Sequence, residues 1–179
     1  MARLMKCIAW ISFILSMFFC ILNMIFDIDI WLSLTITFST IAYHFVMRLL
    51  VGFMFDRIMN NKVNYNRKWF QVGKAELRFY NMIKVKRWKH KMPTYDAALF
   101  SPQKHTWDEI AQAMCQAVLV LEVIVVLSFV PITMSIWWGA FEVFLITSIL
   151  AACIDLSFVI MQRYNRPRVL LLYHKRRNI

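Results

Sequence analysis

The chain has 179 residues, 60% of them hydrophobic and 17% charged, with three Gly and four Pro. A soluble domain holds about 45–50% apolar and about 25% charged residues, so composition excludes an ordinary soluble protein, a disordered chain, a collagen-like fibre and a disulfide-rich secreted scaffold. A net charge of +11 on so apolar a chain indicates an integral membrane protein with its basic residues gathered on one side.

Four apolar stretches, at residues 8–26, 30–55, 111–133 and 136–161, each reach the roughly 20 residues that a helix needs to cross a hydrocarbon core. The first follows Arg3 and Lys6 as a signal peptide would. Its apolar run is too long and no small-residue cleavage site precedes Asp27, so it reads as a retained helix. Asp27-Ile28-Asp29 is the expected turn of a first hairpin. Pro131 to Ser135 is the expected turn of a second, because proline cannot donate the next backbone hydrogen bond. The single expected domain is thus an all-α membrane bundle of two hairpins, with a loop over residues 56–110 and a tail over 162–179.

Twelve of the 21 Lys and Arg lie between Arg57 and Lys104, six lie between Arg163 and Arg177, two lie at the N-terminal tip, and the short turns carry none. The positive-inside rule then places both termini and the long loop in the cytoplasm, as expected of a multi-pass protein of the cell membrane. Cys7, Cys20, Cys115 and Cys153 are too far apart for a C-x-x-C site and read as small buried apolar residues. No zinc spacing, phosphate loop or nucleophile elbow is present, so neither a metal nor a tightly bound cofactor is expected.

The loop interleaves aromatic with basic residues. From Lys74 to Lys89, Leu77, Tyr80, Met82, Ile83, Val85 and Trp88 fall broadly on one helical face, opposite Lys74, Arg78, Lys84 and Lys86. This predicts a basic amphipathic helix in the headgroup region, ended by Pro93. It suits either a surface anchor on anionic lipid or a platform for a phosphate-bearing donor. Nucleic acid suits the composition but not the flanking membrane helices. Thr106 is the expected N-cap of the third membrane helix, with Asp108 and Glu109 complementing its dipole.

An ionisable residue inside a bilayer costs at least ~2.5–3.5 kcal/mol on insertion scales and is by default a candidate for function. At 1.5 Å per residue, His44 lies roughly 18 Å and Arg48 roughly 12 Å below the cytoplasmic surface, Glu122 about 20 Å and Asp155 about 12 Å. One reading is a structural staple in which Arg48 pairs with Asp155 or Glu122. The other is a polar pocket in which His44 is a general base oriented by Glu122, suited to abstracting a hydroxyl proton. Glu142 sits nearer the opposite surface, where it can snorkel.

Past the fourth helix, Gln162-Arg163-Tyr164-Asn165-Arg166-Pro167-Arg168 sets three arginines within six positions. A turn at Pro167 would aim the guanidiniums, and Arg is the residue for bidentate phosphate contact. As a plain membrane stop the run needs fewer.

That run, the string Lys86-Arg87-Trp88-Lys89-His90-Lys91, the Asp108-Glu109 pair and the carboxylate of Glu122 resemble, in order and spacing, the glycosyl-4,4'-diaponeurosporenoate acyltransferases of bacterial carotenoid synthesis. The resemblance runs from about Asn64 to Arg177. It implies an enzyme that moves a fatty acyl group from a thioester, acyl-CoA as co-substrate, to a hydroxyl of a lipid-linked sugar such as a carotenoid glycoside. It assigns no catalytic residue. In this leading reading Arg87, Lys89, Arg163, Arg166 and Arg168 hold the donor's phosphates, and His44 with Glu122 activates the acceptor. Arg48, Asp155, Trp88, His90, Tyr164 and Asn165 support them as a polar network. The alternatives are a small membrane methyltransferase or another lipid-modifying enzyme, and a four-helix transporter.

Overall fold

The computed structural model describes residues 2–92 and 99–177. Among these the regular structure is entirely helical: α1 Ala2–Phe26, α2 Asp29–Met59, α3 Lys74–Met82, α4 Val85–Trp88, α5 Trp107–Leu127, α6 Val130–Trp138 and α7 Phe141–Arg177, with 3₁₀ turns at Lys68–Phe70 and Lys89–Lys91. Four stretches, Arg3–Phe26, Asp29–Met59, Trp107–Trp138 and Phe141–Tyr173, are long and apolar enough to cross a membrane. Their outward faces carry large apolar side chains such as Trp10, Met24 and Ile136, at 67%, 81% and 78% exposure. So much apolar surface is stable only against lipid or another apolar surface.

Asp27 takes a left-handed conformation (φ 46°) between α1 and α2, as the Asp-Ile-Asp turn predicts. The second turn lies elsewhere than expected. Pro131 occupies the first turn of α6, where its missing N–H has no helical acceptor to serve. The helical run is interrupted at Gly139 and Ala140, both with positive φ (66° and 51°), after Gly139 N–H closes on the carbonyl of Ser135 at 2.9 Å. The third span is interrupted at Ser128–Phe129, just before the proline.

Two further expectations are corrected. The 74–89 stretch is not one amphipathic helix: Lys84 adopts φ 53°, ψ 43° and separates α3 from α4. The break turns Val85 fully inside, against Tyr80 and Tyr164, while Met82 and Leu77 of the same expected face are 70% and 41% exposed. Pro93, the expected end of that helix, lies outside the described residues. Nor does Pro167 make a turn. It sits inside α7, which runs on to Arg177. The proline removes the hydrogen bond to the carbonyl of Arg163, one turn back, but Arg168 Nη2 donates to the Tyr164 hydroxyl at 2.9 Å across the same turn.

The described chain divides into two compact units, Met1–Gly52 with Ile124–Ile154, and Phe53–Val123 with Asp155–Ile179. In the first, the Ser16 and Ser39 hydroxyls are 2.6 Å apart. Phe19 stacks on Phe38 and on Trp31, and Tyr43 donates to the carbonyl of Leu127 at 2.9 Å. In the second, one cluster gathers Val63, Phe70 and Cys115, and another Tyr80, Val85 and Tyr164. Of the four cysteines only Cys115 is buried. Cys7 and Cys153 are exposed, contrary to expectation, because the outside of an apolar helix accepts a thiol as readily as the inside.

Candidate functional site

The second unit contains a network built on α7, α5 and the loop segment. Phe70 is buried at 3% exposure beneath the Arg166 guanidinium, which lies 5.6 Å from its ring centroid. That anchor fixes the 3₁₀ turn and leaves its neighbour Trp69 facing outward, 63% exposed. Trp69 Nε1 donates to Glu122 Oε2 at 2.9 Å. Arg163 Nη1 donates to the backbone carbonyl of Trp69 at 3.0 Å and lies 3.7 Å from Glu122 Oε1. Glu122, Trp69 and Arg163 thus meet one another pairwise, Arg163 through the Trp69 backbone and Glu122 through its indole.

Arg163 also grips Glu76 with two prongs, Nε to Oε1 at 2.6 Å and Nη2 to Oε2 at 3.2 Å, the fork geometry that only arginine offers a carboxylate. The Tyr80 hydroxyl donates to Glu76 as well. Burial works to raise the Glu76 pKa, but the hydrogen bonds from Arg163 and Tyr80 and the Arg163 charge together hold it below the usual value. Tyr80 is pushed up, first by its burial and then by its bond to the Glu76 carboxylate.

A second set lies around Arg166, 3% exposed. Its Nη1 donates to the carbonyl of Tyr65 at 3.1 Å and meets Cys115 Sγ at 3.6 Å. Tyr65 in turn donates its hydroxyl to Asp108 at 2.9 Å, a bond that pushes its own pKa up to about 12. Thr106 caps α5 as expected: its hydroxyl accepts from Glu109 N–H at 3.3 Å, and Glu109 Oε2 accepts from Thr106 N–H at 2.9 Å, a reciprocal capping box.

A third set is cationic. Lys89 Nζ donates to Asn165 Oδ1 at 2.6 Å. It lies 5.1 Å from the Tyr164 ring centroid, and the Arg168 guanidinium lies 4.8 Å from that same centroid. Lys89 has its pKa lowered by burial and by the charges of Arg168 and Lys86. Arg87 and His90 are exposed beside it, and Trp88 Nε1 donates to the carbonyl of Ile83 at 3.1 Å.

Of the five basic residues expected to hold phosphate, then, Lys89 and Arg168 are brought together and Arg87 is open. Arg163 and Arg166 turn inward to Glu76, Glu122, Tyr65 and Phe70. The cation beside Glu122 is Arg163. In the first unit, His44 is buried at 5% exposure, and neither ring nitrogen has a hydrogen-bond partner among the described residues, so the imidazole lacks an orienting bond. Arg48 Nη1 donates to the His44 carbonyl at 3.1 Å, and Asp155, in the second unit, is buried at 3% exposure. No cluster of metal-ligating residues occurs among the described residues.

Trp69 and Glu76 are the residues that sequence reasoning passed over. Glu76 carried a signal: it is the only acid between Arg57 and Tyr95, among eleven Lys and Arg. A lone acid in so basic a segment marks an ion pair. Trp69 carried none beyond its aromatic character.

All of the network but Tyr65 falls within a family-model match over residues 66–175, more than half of the chain, to glycosyl-4,4'-diaponeurosporenoate acyltransferase. No curated protein and no solved structure matches. Trp69, Glu76, Glu122, Arg163 and the Lys89–Arg168 pair all lie inside the matched residues, and the chain belongs to the glycosyl-4,4'-diaponeurosporenoate acyltransferase family.

Proposed function

We propose that this chain transfers a fatty acyl group from acyl-CoA to a sugar hydroxyl of a glycosylated carotenoid acid or a related glycolipid, at the cytoplasmic side of the cell membrane. The observation that carries the reading is the Glu122 carboxylate, held by Trp69 and Arg163 within the apolar C-terminal half of α5 in a chain of an acyltransferase family. The acceptor oxygen attacks the thioester carbonyl carbon, a C–O bond forms, and the C–S bond breaks. The hydroxyl proton passes to Glu122 and from there to the departing CoA thiolate. Glu122 Oε1, at 3.7 Å from Arg163, keeps lone pairs for the hydroxyl, while the bond from Trp69 to Oε2 fixes the carboxylate plane.

Lys89, Arg168 and the exposed Arg87 supply charge for the donor's phosphates. The ring of Tyr164 holds the first two close together, which raises the local positive potential. Arg163 and Arg166 frame the site instead of contacting the donor. The basic loop and tail support a cytoplasmic orientation, the side on which a soluble acyl-CoA is found.

A second assignment of the base rests on His44, whose ring nitrogens are buried and without hydrogen bonds among the described residues. Most buried polar atoms are hydrogen-bonded, so each exception calls for an explanation. A labelled fatty acid supplied to cells making the wild-type chain should appear in a glycolipid heavier by one acyl group, detected by lipid mass spectrometry. Glu122→Gln, which keeps an acceptor for Trp69 but not the charge, should abolish that product with protein levels unchanged. Full activity in Glu122→Gln together with loss in His44→Phe transfers the role to His44. Activity in both variants removes both residues from the chemistry.

A further inference from the structure

Trp69 has two faces of use. Its Nε1 holds Glu122, and Trp69 also lines a pocket of about 180 Å³ with the polar Lys62, Asn64 and Arg67 and the apolar Met59, Val63, Phe70 and Leu119. We propose that this pocket is the subsite for the acceptor's sugar ring. The inference rests on the acyltransferase reading and deepens it by placing one half of the substrate.

Four observations support it. The volume is below the roughly 300 Å³ at which pockets for drug-sized ligands begin, so it takes a single ring and not a lipid chain or a whole nucleotide. An indole 63% exposed beside a polar rim offers a flat apolar face to the C–H face of a pyranose, while Lys62, Asn64 and Arg67 reach hydroxyls around its edge. Asn64 Oδ1 already accepts from the Asn66 N–H at 2.9 Å, which fixes the amide so that its NH₂ is the group presented. Finally, Leu119 and Glu122 are three residues apart on α5 and share a helix face. A ring on Trp69 therefore lies next to the carboxylate assigned to take the hydroxyl proton. The phosphate-bearing donor has its own cations at Lys89 and Arg168, so this rim is not needed for it.

The test separates binding from turnover. The protein in lipid nanodiscs is titrated with tritiated stearyl glucoside and, separately, with tritiated stearyl alcohol. The subsite predicts that the glucoside binds more tightly than the alcohol. The combined variant Asn64→Ala/Arg67→Ala should lose that preference by roughly tenfold, the scale of one or two hydrogen bonds, with alcohol binding unchanged. Trp69→Leu should lose it too, whereas Trp69→Phe, which keeps a ring but not the bond to Glu122, should keep most of it while losing turnover. Equal binding of glucoside and alcohol by the wild type overturns the subsite. So does a preference that persists in the Asn64/Arg67 variant, or one abolished by adding CoA alone, since the pocket would then belong to the donor. Selective glucoside binding without any acyl transfer leaves the subsite standing and overturns the acyltransferase reading instead.

Discussion

The two compact units are stitched together internally by different chemistry. In the first, most hydroxyls turn back on their own helix: Thr35, Thr37, Thr40 and Thr147 each donate to the carbonyl four residues earlier. Bonds between its helices include the neutral pairs of Ser16 with Ser39 and Tyr43 with Leu127. In the second, bonds span long stretches of sequence and most involve charge: Arg163 with Glu76, Trp69 with Glu122, Lys89 with Asn165, Arg166 with Tyr65. Neutral groups can be redistributed along an apolar helix at little cost. A charged cluster exists only where each member is compensated, which fixes positions to a fraction of an ångström and suits a site that must hold substrates still.

The sharpest way to break this contrast is Arg163→Ala. It removes the fork on Glu76 and the cation beside Glu122 together. Breaking a buried ion pair costs about 3–5 kcal/mol. With side chains 15% and 25% exposed, screening reduces this, and the expected loss is about 2 kcal/mol. It should be read as a lower unfolding midpoint in detergent together with acyl transfer below detection. Arg163→Lys should recover part of the stability but not the activity, because an ammonium lacks the planar fork.

Next in size is the donor side. Lys89→Ala/Arg168→Ala should raise the KM for acyl-CoA by roughly tenfold, on the scale of 1.4 kcal/mol, with kcat within about twofold. The lowered Lys89 pKa adds a pH signature. Lys89 loses its charge at a lower pH than an ordinary lysine, so donor affinity should fall on the alkaline side before ordinary lysines titrate. Lys89→Arg should stay flat there. An unchanged KM in the double variant would remove the phosphate role from this pair.

Acid stability probes the same network from Glu76. Its folded pKa lies below the unfolded value because the bonds from Arg163 and Tyr80 outweigh its burial. The stability it contributes is therefore fully present above the ordinary carboxylate range and is lost as pH falls through the lowered folded pKa. Thermal unfolding midpoints of the wild type should drop on acidification through that window. Those of Glu76→Gln should start lower and change less. Parallel curves would mean that another carboxylate governs acid unfolding.

What the sequence made legible follows from the same difference in chemistry. The four spans were readable because hydropathy over some twenty residues is a sum that no local detail reverses. Asp27 and Thr106 were readable because turns and caps are local. Pro131 and Pro167 misled: each was read as a stop, yet one sits in the first turn of α6 and the other inside α7, because a proline costs a helix only what its neighbours fail to supply. Within the site, Glu122, Lys89 and Arg168 stood out as charges in unusual places. The pairing of Arg163 with Glu76, 87 positions apart, depends on which faces of distant segments meet, and no spacing rule carries that.

The smallest effect sharpens the comparison from the other side. Ser16 and Ser39 form an inter-helix hydroxyl pair of the first unit, at 2.6 Å. Interhelical hydrogen bonds within membranes average about 0.6 kcal/mol in double-mutant cycles, because the separated helices find other partners for the same groups. The cycle of Ser16→Ala and Ser39→Ala should therefore give a coupling of about that size in unfolding experiments, and acyl transfer in the double variant should stay within twofold of wild type. A coupling near that of the Arg163–Glu76 pair, or a large loss of activity, would mean that the first unit is held as exactingly as the second. The contrast between a charge-fixed site and a loosely specified apolar scaffold would then fail at the point where it makes its weakest demand.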